Sequence, residues 1–149
     1  MQTLGSDGDT LKTKRLVIGQ ISMCRGCCCG NTDRGKPEVP VEWLKAEWRR
    51  MGLLKNVQLT ISGCLGPCDL SNVVTISDFS GSIWLGNIRH LYQYQALVDW
   101  AFQSKVAGRL LPLPEEFADR RFDPFRRVGS EAERQDEFKL RAGESSIAG

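Results

Sequence analysis

Histidine is almost missing from these 149 residues: His90 is the only one. Any metal or cluster site built on two imidazoles is therefore excluded. Long apolar runs are missing as well, and none approaches the roughly 20 residues that a membrane-crossing helix needs. An excess of one charge sign is missing, since the formal net charge is +2, too little for bulk attraction to nucleic acid. There is no glycine-rich phosphate loop, no nucleophile beside a base and no pair of catalytic carboxylates, so the chain does not read as an enzyme. The opening MQTLGSDGDT lacks the charged-then-apolar order of a secretory signal, and the expected compartment is the cytoplasm. What remains is an ordinary globular composition, 41% apolar and 26% charged, long enough for one domain with its own core.

Cysteine, by contrast, is present six times in two short groups. The first, MCRGCCCGNTDRG at 23–35, holds Cys24, Cys27, Cys28 and Cys29; the second, SGCLGPCDLSNVV at 62–74, holds Cys64 and Cys68. In a reducing compartment such clusters hold a metal or do redox chemistry more readily than they form a disulfide framework.

The pattern around them predicts a small α/β domain. RLVIGQISM at 15–23 reads as a buried strand. Pro40 opens a helix on which Val41, Leu44, Trp48 and Met51 share a face, and Gly52 ends it. NVQLTISG at 56–63 alternates as a half-buried strand, with Val57, Leu59 and Ile61 on one face. NVVTISD at 72–78 and SIWLGNI at 82–88 form a hairpin across FSG. His90 to about Lys105 is a second helix, with Leu91, Tyr94, Val98, Ala101 and Phe102 facing the core and Gly108 after its end. The order β-α-β-β-β-α implies a parallel first pair and an antiparallel hairpin. Residues 1–14 read as a flexible arm and 15–110 as the domain. Residues 111–149 read as an extension, largely disordered after about 130 for want of apolar side chains. Phe117, Phe122 and Phe125 are its candidates for docking on the domain or on a partner.

If the strands at 15–23 and 56–63 are parallel, both cysteine loops leave the same sheet edge. Ligands of such sheets collect there. Gly26, Gly30, Gly63 and Gly66 suit the tight backbone of a cluster loop, whose free amides can donate to sulfur. Four readings stay open at this point: an iron–sulfur cluster on four thiolates, structural zinc, a thiol redox motif at Cys24-Arg25-Gly26-Cys27, and incidental buried thiols.

Cys24-x4-Cys29, a gap of thirty-four residues and Cys64-x3-Cys68, with GCLGPC ahead of NVV, resemble the thioredoxin-like 2Fe-2S ferredoxins. They also resemble the related 2Fe-2S subunit of NADH:quinone oxidoreductase. The resemblance covers roughly residues 15–105. It implies a thioredoxin-like ferredoxin fold, a small mixed sheet flanked by helices with one 2Fe-2S cluster near the surface. It also implies one-electron carriage between redox partner proteins, and a homodimer, since members often dimerise. The run CCC departs from the respiratory members and is similar to stand-alone ferredoxin-like proteins, some associated with cobalamin-pathway genes.

Carried onto this sequence, the resemblance implies cluster ligands Cys24, Cys29, Cys64 and Cys68. Cys64 and Cys68 are the two thiols of the second loop, and Cys24 sits at a strand end. Adjacent side chains diverge along extended backbone, so Cys28 and Cys29 are not expected to ligate together. Cys29 follows the x4 spacing of the family, Cys28 is the alternative with x3 spacing, and Cys27 is a spare thiol. The competing function is a zinc- or iron-binding module for metal delivery or cluster assembly, or a thiol redox protein.

Other residues carry lesser expectations. His90 reads as a cap or surface residue. Arg25, Arg34, Lys36, Lys45, Arg49 and Arg50 offer charge for an acidic redox partner. Asp69 either tunes the site by its charge or caps the following turn, and the four tryptophans read as core and interface.

Overall fold

A computed structural model describes residues 10–26 and 28–126. The expectations for the arm before Thr10, for Cys27 and for the tail after Arg126 lie outside the described residues. Among the described residues, strand β1 (Gly19–Cys24), helix α1 (Val41–Arg50), strands β2 (Val57–Ser62), β3 (Val74–Asp78) and β4 (Gly81–Leu85), helix α2 (Leu91–Ala107) and a short β5 (Arg121–Phe122) follow in chain order. The fold is mixed α/β, in the expected β-α-β-β-β-α order with β5 added.

β1 pairs with β2 in parallel, from Gly19 opposite Val57 to Cys24 opposite Ser62. β3 lies antiparallel on its other side, and the sheet order is β2-β1-β3-β4-β5. β1 begins at Gly19 rather than at residue 15. Its partner β2 starts only at Val57, and the first bond between the two segments is Ile18 N to Asn56 O at 2.8 Å. Leu16 and Val17 therefore have no strand beside them and stand exposed.

α1 carries the chain from the cysteine edge of the sheet back to the start of β2. Val41, Leu44 and Trp48 form its buried face, and the Trp48 indole donates to Val57 O at 2.7 Å, tying helix to strand. Gly52, at φ 65°, makes the left-handed turn that ends the helix segment. α2 packs on α1, and Lys105 Nζ donates to Gly52 O at 3.0 Å. Tyr94, Leu97, Val98, Trp100 and Ala101 form the buried face of α2, while Leu91 at its first position stays half exposed. His90 caps the helix, with Gln93 Oε1 accepting its backbone N–H at 2.9 Å. No helix among the described residues is long and apolar enough to cross a membrane.

The β3–β4 hairpin turns on Phe79 and Ser80, with Asp78 Oδ1 accepting from Ser80 N at 2.8 Å. Beyond α2 the chain returns over the core. The Trp100 indole donates to Leu111 O at 2.9 Å, Phe117 is fully buried, and Phe122 pairs opposite Trp84. Phe125 sets its ring edge-on to Trp84 at 5.5 Å. Phe117, Phe122 and Phe125 thus dock on the domain itself. Phe117→Ala is expected to cost about 3–5 kcal/mol, as for other buried aromatics, read as a lower urea midpoint at unchanged slope.

Candidate metal centre

The parallel pairing of β1 and β2 brings the two cysteine loops to one edge. Cys24, the last residue of β1, stands opposite Ser62, and Arg25 N donates to Ser62 O at 3.0 Å just beyond it. Ser62 Oγ in turn donates to Met23 O at 3.4 Å. A β-carbon on Gly26 would lie 3.8 Å from Cys64 N, so the loops run side by side. The first loop closes through Gly26 N to Cys29 O at 3.0 Å. Gly30 then turns at φ 69°, with Val39 packed where a side chain would stand.

The thiols form two pairs of different depth. Cys24 and Cys29 are 3% and 2% exposed and share a thiol hydrogen bond. Cys64 is exposed and Cys68 half-buried, with Sγ atoms 3.1 Å apart. The pairs feel each other. Burial, the bond to Cys29 and the charges of Cys29 and Cys64 push the Cys24 thiol up to about 12, against the pull of the Leu65 amide. Cys64 moves the other way, held below its ordinary value by hydrogen bonds from Cys68 and from Gly66 N, the latter at 3.3 Å. Cys28 is half-buried.

The surroundings are apolar inside and polar outside. Val73, Leu65, Leu70, Trp84 and Phe122 pack around Cys24 and Cys29. Asn72 locks this wall. It is buried, at φ 47° after Ser71 at φ 34°. It accepts from Gly30 N at 2.6 Å, and its amide donates to Pro37 O at 2.8 Å and Ile88 O at 3.0 Å. One side chain thus joins the first cysteine loop, the second, the α1 approach and the α2 approach. Sequence reasoning passed over Asn72. Its signal is an asparagine, tolerant of left-handed backbone, directly after the second cysteine loop and before a strand.

Of the six cations weighed for docking, Arg25 and Arg34 lie within the first cysteine segment and Lys36 just after it. Arg49 and Arg50 end α1 at the opposite sheet edge, and Arg50 is paired with Glu47 at 2.6 Å. The reason is the crossover itself, since a helix between parallel strands must run back to the edge from which β2 starts.

The donor set fits a 2Fe-2S cluster. Among the described residues no three Cys, His, Asp or Glu side chains converge on the position of a single ion. Four thiolates suit structural zinc as well as a 2Fe-2S cluster. Here the thiols stand as two pairs, with backbone N–H groups of Leu65 and Gly66 turned to sulfur. One buried donor without a hydrogen-bond partner among the described residues, Trp84 Nε1, also adjoins this region, since Trp84 packs on the apolar group of Cys24, Cys29 and Val73.

No protein-family model matches the sequence, and no curated protein matches it. Among solved structures, the chain is similar to the thioredoxin-like [2Fe-2S] ferredoxin from Aquifex aeolicus. The TM-score is 0.40 and the identity 14%, over 72% of this chain and 99% of that one.

Proposed function

We propose that this chain is a one-electron carrier, a small 2Fe-2S ferredoxin that passes electrons between redox partner proteins and has no catalytic residues of its own. The observation that carries the reading is the juxtaposition of two thiol pairs at one sheet edge, the inner pair buried and the outer pair reaching the surface. Bound there, a 2Fe-2S cluster supplies a one-electron couple. Cys24 and Cys29 would hold it from the interior and Cys64 and Cys68 from the surface, leaving Cys27 and Cys28 as spare thiols.

The chain's own residues do the rest. The apolar group of Val73, Leu65, Leu70, Trp84 and Phe122 keeps water from the inner thiols. The Leu65 and Gly66 amides stabilise negative charge on sulfur. Exposure of Cys64 leaves the outer side open to a partner, and Arg25 and Arg34, both exposed beside the first loop, would steer an acidic one. Cys24, Cys29 and Cys64 carry no disulfide, which fits a reducing compartment. The homodimer of the resembling family belongs to the same proposal, and light scattering reads it directly.

Protein purified without air is expected to be brown-red, with visible absorption and equal amounts of iron and acid-labile sulfide. A colourless protein carrying one zinc per chain would end this reading in favour of a metal-delivery or assembly module.

A further inference from the structure

The two thiols of the second loop stand within bonding reach of each other. Cys64 Sγ and Cys68 Sγ are 3.1 Å apart, roughly 1 Å more than a disulfide bond requires. Gly66, between them in the chain, donates its N–H to Cys64 Sγ at 3.3 Å and so holds that sulfur turned into the loop. The loop folds back on the same residue, whose carbonyl accepts from Cys68 N at 2.7 Å. Gly66 lies at φ 117°, which glycine adopts without strain, so the bend that brings residues 64 and 68 together is built into the backbone. Cys64 is exposed and Cys68 half-buried. The inner pair differs in the respect that matters for oxidation. Cys24 and Cys29 are 3% and 2% exposed and lie in the apolar group with Val73, out of reach of an oxidant in solution.

We infer that in the chain without its cluster Cys64 and Cys68 close a reversible disulfide, which makes the outer pair a redox gate on cluster loading. The gate rests on the 2Fe-2S reading above; the disulfide does not. The oxidant is a low-molecular-weight disulfide such as oxidised glutathione. Cys64, the exposed thiol, gives up its proton and attacks one sulfur of that reagent. The reagent's S–S bond breaks, a mixed disulfide forms on Cys64, and one thiolate leaves. Cys68, 3.1 Å away, then gives up its proton and attacks the Cys64 sulfur. The Cys64–Cys68 bond forms and the second thiolate leaves. The chain loses two electrons and two protons, and the reagent gains both as two thiols. Exposed disulfides are the labile ones that a thiol pool reduces again. While the bridge is closed it withholds both outer thiolates, and only a thiolate ligates a metal.

Peptide mapping reads the bridge directly, because the tryptic peptide 56–89 holds Cys64 and Cys68 and no other cysteine. The full chain is stripped of metal under reducing conditions without air, treated with oxidised glutathione, then with iodoacetamide. Peptide 56–89 should be lighter than its reduced form by two hydrogens and should take no label. The same oxidised chain should take up no cluster from iron and sulfide, and dithiothreitol should restore uptake in full. Cys68→Ser removes the second attack and should leave glutathione bound at Cys64. Two labels on peptide 56–89, or a bridge from it to the first cysteine loop, would overturn the disulfide. Normal loading of a chain whose bridge stays closed would overturn the gate. Failure of the reduced chain to take up iron and sulfide would overturn the ferredoxin reading and the gate with it, while the disulfide stands or falls on the mass of peptide 56–89.

Discussion

Cys29→Ser is expected to remove or spectrally alter the visible absorption of the anaerobically loaded protein, while Cys28→Ser keeps it. The two thiols are neighbours in sequence, but they are placed differently. Cys29 lies inside the apolar group with Cys24 and Val73 and shares a hydrogen bond with Cys24. Cys28 lies half-buried outside that group. Cys24→Ser, Cys64→Ser and Cys68→Ser should each behave like Cys29→Ser. The largest effect is expected at Cys24, since its serine would place a hydroxyl at a buried strand end with the Leu65 amide as a partner. Iron and sulfide content, absorption and electron paramagnetic resonance of the reduced protein read the outcome. Loss of the cluster in Cys28→Ser and its retention in Cys29→Ser would reverse the assignment of the inner pair. Loss of cluster should also lower the melting temperature, because a group bound by the folded state alone stabilises it.

Asn72→Ala is expected to be the most damaging single change outside the cysteines and the buried aromatics. It strands Gly30 N, Pro37 O and Ile88 O, and it places alanine at φ 47°. Each buried polar group left without a partner costs about 1–3 kcal/mol, so a loss of roughly 2–5 kcal/mol is expected, the lower bound allowing for partial access of water. Asn72→Gly separates the two causes. Glycine accepts the left-handed backbone but restores none of the bonds, and should recover only the smaller part of the loss. Urea unfolding of the metal-free proteins gives both values. Full recovery by glycine would show that backbone strain, and not the three hydrogen bonds, is what Asn72 resolves. In loaded protein Asn72→Ala should also weaken cluster retention, because Gly30 N anchors the end of the first cysteine loop.

Much of the fold was written in local pattern. Apolar spacing on Val41, Leu44 and Trp48 places α1, and the alternation at 56–63 places β2, because helix and strand periodicity is set within a few residues. From those elements alone, the short parallel crossover brings two cysteine loops to one edge. That the cysteines form one candidate centre was therefore legible without coordinates. The start of β1 was not, because whether Leu16 and Val17 join a strand depends on where β2 begins, some forty residues on. The destination of Phe117 and Phe122 was not legible either, since the same apolar side chains suit a partner as well as the domain.

The sequence by itself determined the class of this protein: a mixed α/β domain with two thiol loops and one histidine. Tertiary structure alone decided which thiols pair, which are buried, and which cations stand near them. It alone placed Asn72 across four segments. The physical reason is range. Helix and strand preferences arise from neighbours along the chain. The depth of a thiol and the partner of a buried amide arise from groups as far apart in the chain as Cys24 and Phe122, and only packing brings these together.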